Sequence, residues 1–237
     1  MTRNINSSMK WIYLNGTNQA DSLALATVLA CTTNTFGVVR KSCVTRYLFG
    51  LEHVNYGFYP NAENDDLIRI DCSCITNWRE KCAYIAQKLS IQINNDIAPY
   101  LGFIQKNEAI ERIFEKKYAL LLIQPHPDQD LDLMIIDKLT KLFAESEVKF
   151  ISAGTLMMPC IKGTKDCRET IGINELCLIR NKVPFILTSE VEYIAIAEAL
   201  GIPAFVISSI DGRLTIDDIP MADANQIYNY LQIKLKK

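Results

Sequence analysis

The chain has 237 residues with 25 Lys and Arg against 27 Asp and Glu, a net charge of −2, and 49% hydrophobic residues. That composition belongs to a globular protein with a substantial core, and the length suits one large domain or two of roughly 110–120 residues. It carries no basic tract of a nucleic-acid binder, no apolar leader at its start and no apolar run long enough to span a bilayer, so the expected setting is cytoplasmic, with at most peripheral membrane contact and no nucleic-acid partner.

In chain order, Lys10–Leu14 (KWIYL) reads as a short strand, followed by the polar turn Asn15–Asp21 and a broadly apolar helix, SLALATVLACTTN. FGVVR reads as the next strand, CVTRYLFGLEHV as a second helix loosened at Gly50, YGFYP as a further strand and NAENDD as a loop. LIRID is a strand, and TNWREKCAYIAQKLSI a helix with Thr76 as its expected cap. Alternation of strand and helix predicts parallel sheets. Ile91–Glu115, with its Asn94-Asn95-Asp96, Pro99 and Gly102, breaks the alternation and reads as the passage between two halves.

The second half opens on YALLLIQPHP, a buried strand running into a polar turn, then a helix over Leu131–Ser146 and the strand VKFISAG. A loop rich in Lys162, Lys165 and Arg168 follows, then the short helix INELCLIR. Val183–Ile207 (VPFILTSEVEYIAIAEALGIPAFVI) is the most informative stretch. It reads as an apolar strand, a turn whose Thr188-Ser189-Glu190 suits a helix start, a small-residue helix stopped by Gly201, and a returning strand. The end, MADANQIYNYLQIKLKK, is an amphipathic helix, apolar at Ile227, Tyr230, Leu231 and Leu235.

Eight cysteines (Cys31, Cys43, Cys72, Cys74, Cys82, Cys160, Cys167 and Cys177) sit mostly in apolar contexts and read as reduced core thiols. Cys72-Ser-Cys74 lacks a second thiol pair or paired histidines, the only histidines being His53 and His126, so no metal site is expected.

Ligands of open α/β sheets bind where strands end and helices begin. That places candidate roles on Thr188, Ser189, Glu190 and Glu192, on Gly154 at the end of VKFISAG, on Lys162 as a phosphate partner and on His126 in QPHPDQD. Glu190 and Glu192 suit either ribose hydroxyls or simple helix-start acidity. Thr188 and Ser189 suit a phosphate or a cap. Asp21 suits a base or a favourable charge at a helix start. Tyr47, Tyr56, Phe58 and Tyr59 form an aromatic group suited to core or interface packing, or to a sugar face.

Three of these segments, in this order, resemble a known family. GTNQADSLALATVLA, LIQPHPDQDLDLMIIDKLTKLFAESEVKFISAG and FILTSEVEYIAIAEALGIPAFVI, with NWREKCAYIAQKLSIQI between the first two, are similar to the successive segments of glycosyltransferase family 9, the ADP-heptose:lipopolysaccharide heptosyltransferases. The resemblance implies the bacterial GT-B architecture: two Rossmann-like α/β domains whose parallel sheets face each other across a cleft. The expected domains are 9–105 on the acceptor side and 106–237, with the C-terminal helix, on the nucleotide-sugar side. It further implies a metal-independent, inverting transferase that moves a sugar from a nucleotide-sugar donor to a surface glycan, lipopolysaccharide or other lipid-linked acceptor, needs no cofactor, and uses Asp21 as its base. Where the family carries Asp-Ser-Gly and a helix-start His, this chain has Thr188-Ser189-Glu190-Val191-Glu192-Tyr193, and Asp128, Gln129 and Asp130 follow the Pro-rich turn. Those departures imply an alternative, a catalytically degenerate protein of the same architecture that binds a nucleotide sugar or a protein partner. An epimerase or hydrolase of similar form is a third reading.

Overall fold

A computed structural model describes residues 9–15, 18–39, 44–57, 67–105, 107–114, 117–123, 129–145, 148–210 and 213–236. The chain divides into two compact units, residues 1–103 and 104–237.

In the first unit, β1 (Lys10–Leu14), β2 (Phe36–Val39), β3 (Val54–Gly57) and β4 (Leu67–Ile70) form a parallel sheet in the order β3-β2-β1-β4. Helix α1 (Gln19–Leu29) connects β1 to β2, and α2 (Trp78–Leu89) follows β4. Every residue from Ala20 to Leu29 is buried, the polar Asp21, Ser22 and Thr27 among the apolar ones, and α1 packs along α2. Gly37 lies opposite Trp11 in the β1–β2 register. A Cβ there would come within 2.5 Å of the indole, so only glycine lets the ring lie flat on the neighbouring strand.

Two expectations for this unit are corrected. Residues 44–54, the described part of the expected second helix, do not form one. Thr45–Leu48 makes a single 3₁₀ turn, Gly50 departs from it at φ 87°, and Val54 already belongs to β3. β-Branched Val44 and Thr45 at the start and a positive-φ glycine five residues later leave no room for a regular helix. The cap of α2 is Asn77 rather than Thr76, its side chain accepting from the Glu80 N–H at 3.0 Å. Phe58 and Tyr59 of the expected YGFYP strand lie outside the described residues, as do Gly16 and Cys43.

The second unit contains α3 (Glu108–Ile113), β5 (Tyr118–Leu122), α4 (Gln129–Ala144), β6 (Lys149–Ser152), β7 (Lys165–Asp166) and α5 (Ile173–Ile179). It continues with β8 (Ile186–Thr188), α6 (Val191–Leu200), β9 (Ala204–Ile210), β10 (Arg213–Ile216), β11 (Ile219–Pro220) and α7 (Ala224–Leu235). Its sheet runs β11-β10-β9-β8-β5-β6-β7. Strands β9 to β7 are parallel to one another, but β10 and β11 are antiparallel additions to one edge, so this sheet is mixed rather than wholly parallel. The β10–β11 hairpin was not foreseen. It turns on Asp217 and Asp218, both at positive φ (49° and 64°), a two-residue turn in which aspartate stands in for the usual glycine or asparagine. Asp217 is secured there by accepting from the Val206 N–H (2.9 Å) and the Tyr230 hydroxyl (3.0 Å).

The core of this unit is aromatic. Phe143 of α4 meets Phe150 and Phe185 at 5.3 and 5.4 Å, and Phe185 meets Phe205 at 6.0 Å. Ile227 and Leu231 of α7 complete it, and α7 packs against α4.

Candidate functional site

In the first unit the chain leaving β1 turns into α1, and Asp21 stands in the first turn of that helix. Asn18 caps the turn, accepting from the Asp21 N–H at 3.1 Å. The Asp21 side chain is not presented to solvent: it is 3% exposed and its Oδ1 lies 2.5 Å from Lys81 Nζ, itself on a side chain 6% exposed. Lys81 also donates to the Cys72 carbonyl oxygen at 3.1 Å, just beyond β4. One ammonium thus ties together α1, α2 and the end of β4. Burial, and secondarily the Asp21 charge, push the Cys72 thiol up to about 12, so it stays protonated beside the pair. A carboxylate here is able to take a proton only if it loosens from a neutralising partner in a closed site. Lys81 was not singled out in the sequence, although a signal existed: it falls on the stripe Trp78, Cys82, Ile85 and Leu89 that α2 buries.

At the rim of the same unit, Gln19 Oε1 accepts from the Tyr47 hydroxyl at 3.0 Å and from Arg46 at 3.3 Å. Tyr47 is core, edge-on to Phe103 at 4.6 Å, whereas Tyr56 is 46% exposed beside the equally open Phe49. The two described members of the aromatic group therefore part, Tyr47 to the core and Tyr56 to the surface.

In the second unit, Thr188 ends β8 next to Leu122, the last residue of β5. The Thr188 hydroxyl donates to the Leu122 carbonyl oxygen at 3.0 Å and accepts from the Glu190 N–H at 2.9 Å. The Ser189 N–H donates to the same Leu122 oxygen at 3.1 Å. Two donors read as available to a phosphate are therefore engaged in holding the strand ends together. Glu190 is the residue before α6 and makes no side-chain cap bond to the helix. It is partly buried, and burial pushes its carboxyl up. Tyr193 is raised to about 12 by burial and then by the charges of Glu192, Glu190 and Glu169, so three carboxylates act on one point at the start of α6.

Gly154 follows β6 at φ 97° and packs under Met158, where a Cβ would also reach Leu122 at 3.4 Å. Its carbonyl accepts from the Glu169 N–H at 2.7 Å. Gly154, Thr188, Ser189, Glu190 and Glu192 are thus gathered around the ends of β5, β6 and β8. Lys162 lines a shallow depression with Lys138 and Lys141 on the flank of α4. Arg168 is committed as well: it chelates Asp166 at 2.8 and 2.9 Å and donates to the Met158 carbonyl at 2.7 Å. His126 and Asp128 lie outside the described residues. Among the described residues no group of three His, Cys, Asp or Glu side chains is placed to hold a metal ion, and no helix is long and apolar enough to cross a membrane.

No family profile matches the sequence, and no curated protein matches it in sequence either. Solved structures do match in fold. Escherichia coli heptosyltransferase WaaC, solved with ADP, superposes with a TM-score of 0.57 at 10% identity, over 96% of this chain and 98% of that one. A glycosyltransferase family 9 protein from Veillonella parvula gives 0.54 at 8% identity, over 84% and 81%. The E. coli ADP-heptose lipopolysaccharide heptosyltransferase II gives 0.50 at 9% identity, over 96% and 99%. The chain has the mixed α/β fold with parallel sheets of these glycosyltransferases.

Proposed function

We propose that the chain is a heptosyltransferase-like glycosyltransferase that takes a sugar from a nucleotide-sugar donor. The observation that supports this reading is the fold, which follows that of WaaC over nearly the whole of both chains, with the acidic residue Asp21 in the first turn of the first-unit helix. The donor is taken by the second unit at the ends of β5, β6 and β8. The N–H groups opening α6 face its phosphates, Glu190 and Glu192 accept from ribose hydroxyls, and His126 and Lys162 stand as phosphate partners. The acceptor is a surface glycan or lipopolysaccharide hydroxyl. Asp21 takes the proton of that hydroxyl, the oxygen attacks the anomeric carbon, and the bond to the diphosphate breaks with inversion, without metal or cofactor. Such a reaction belongs on the cytoplasmic side of a bacterial membrane.

A second reading is favoured by one specific observation. The Asp21 carboxylate is enclosed with Lys81 as its counter-charge, as befits a protein of this fold that binds a nucleotide sugar without transferring it. Calorimetric titration with ADP-, GDP-, UDP- and CMP-sugars, followed by product analysis with a lipid-linked glycan, separates the two. Binding with transfer that Asp21→Asn abolishes, at unchanged donor affinity, supports the first reading. Binding with no turnover supports the second, and no binding of any nucleotide removes both.

A further inference from the structure

The flank of α4 carries a surface of which the transfer reading uses only Lys162, at its edge. Leu133, Met134, Asp137, Lys138 and Lys141 of the helix and Lys162 of the loop after β6 enclose a shallow, open depression of about 530 Å³. Its floor is aliphatic: Leu133 is half-buried and Met134 is 61% exposed. Its walls are three lysines, all exposed. Among the described residues lining it, Lys141 pairs with Asp137 at 2.8 Å, which leaves the ammoniums of Lys138 and Lys162 in excess on a chain whose net charge is −2. The same loop exposes two more large apolar side chains, Leu156 (65%) and Met157 (85%). Met134, this open and bordered by ammoniums on flexible aliphatic stems, matches a bilayer interface: the stems and the thioether enter the headgroup boundary while the charges stay at anionic headgroups.

We propose that the α4 flank, with the loop that carries Lys162, is a docking surface for an anionic lipid membrane. Charge complementarity selects the occupant. A neutral protein partner would leave the two excess ammoniums unmatched, whereas an anionic bilayer meets charge and apolar surface together. The inference stands whether or not the protein transfers a sugar, although a lipid-linked acceptor would be met at such a surface.

The test is flotation of the full-length protein with vesicles of phosphatidylcholine alone and of phosphatidylcholine mixed with phosphatidylglycerol. The wild type is expected to float with the anionic vesicles only and to be released by added salt, since exposed charges are screened beyond about 10 Å at 0.1 M. Each lysine near an anionic surface contributes about fivefold, so K138Q/K141Q/K162Q should lower partitioning about a hundredfold. M134S should weaken it by less while leaving the salt dependence intact. The substitutions are on the surface, and unchanged melting of the variants confirms that the fold is kept. Equal partitioning into neutral vesicles, undiminished binding by the triple variant, or capture by soluble polyphosphate without vesicle binding would each overturn the proposal.

Discussion

Lys81 Nζ sits 2.5 Å from Asp21 Oδ1 across 60 residues of sequence, and both side chains are almost wholly enclosed. The relationship decides how the first unit is held. Neither charge is tolerable in that position alone, so the pair and the bond from Lys81 to the Cys72 carbonyl act as one joint between α1, α2 and the end of β4.

Lys81→Met should therefore lower stability by about 3–5 kcal/mol, because it leaves an uncompensated buried carboxylate. Adding Asp21→Asn to that variant should restore much of the loss. Urea unfolding of the two single variants and the double variant measures the coupling. Strictly additive losses would mean that the contact carries no energy.

The strand ends of the second unit depend on Thr188 in a comparable way. Thr188→Val removes the donor to Leu122 and the acceptor for the Glu190 N–H. The cost should be about 1–2 kcal/mol, since Ser189 still satisfies the Leu122 carbonyl. Thr188→Ser should be close to the wild type. Amide exchange at Glu190 reports the lost bond directly, and unchanged protection there in the valine variant would contradict the assignment.

Much of this arrangement was legible in the sequence, and the parts that were not have physical reasons. The apolar runs around Trp11, Tyr118 and Phe185 gave the strands, because a buried parallel strand needs a short continuous hydrophobic stretch. The small-residue helix ended by Gly201 was equally clear: Gly201 takes φ 69° at its C-cap. The helix expected over 43–54 rests on an apolar spacing that fits a helical period, but the described residues 44–54 make one 3₁₀ turn ended by the positive φ of Gly50, which spacing alone does not show. The β10–β11 hairpin was missed because its turn uses Asp217-Asp218 without glycine. At the site, Asp21 was found but Lys81 was not. Periodicity places a lysine on the buried stripe of α2, yet only the fold shows which carboxylate across the interface answers it. Lys162 was assigned to a phosphate on loop position alone, and the fold sets it beside two lysines of α4.

Asp166 provides a pH test with a definite sign. The Arg168 side chain, and then its backbone N–H, hold the Asp166 carboxyl at about 2, below its ordinary 3.8. A depressed folded-state value means a contribution that is present above about pH 4 and is lost as the pH falls towards about 2. In Arg168→Gln the Asp166 carboxyl should titrate higher, part of the way back to its ordinary value because the backbone N–H of residue 168 still donates to it, and the variant should show less added destabilisation over that acid window. Carboxyl ¹³C NMR titration follows the group itself, and an unmoved midpoint would show that Arg168 is not the cause.

The electrostatics at the start of α6 can be tested through Glu169, which is not itself a ribose candidate. Its carboxylate accepts from the Leu156 N–H at 3.0 Å, and its charge adds to those of Glu192 and Glu190 in raising Tyr193. Glu169→Gln keeps an oxygen for Leu156 and removes one negative charge. Two unit charges about 4 Å apart interact by about 1 kcal/mol in water, and by less at greater separation. A nucleoside diphosphate arriving at these strand ends should therefore bind up to about fivefold more tightly to the variant, while a neutral nucleoside should bind equally well to both. Calorimetric titration with ADP and with adenosine gives the two affinities. If ADP binds the variant no better than the wild type, the acidic strand ends are not what limits diphosphate binding, and the departure at Thr188 to Tyr193 no longer argues for a weakened transferase.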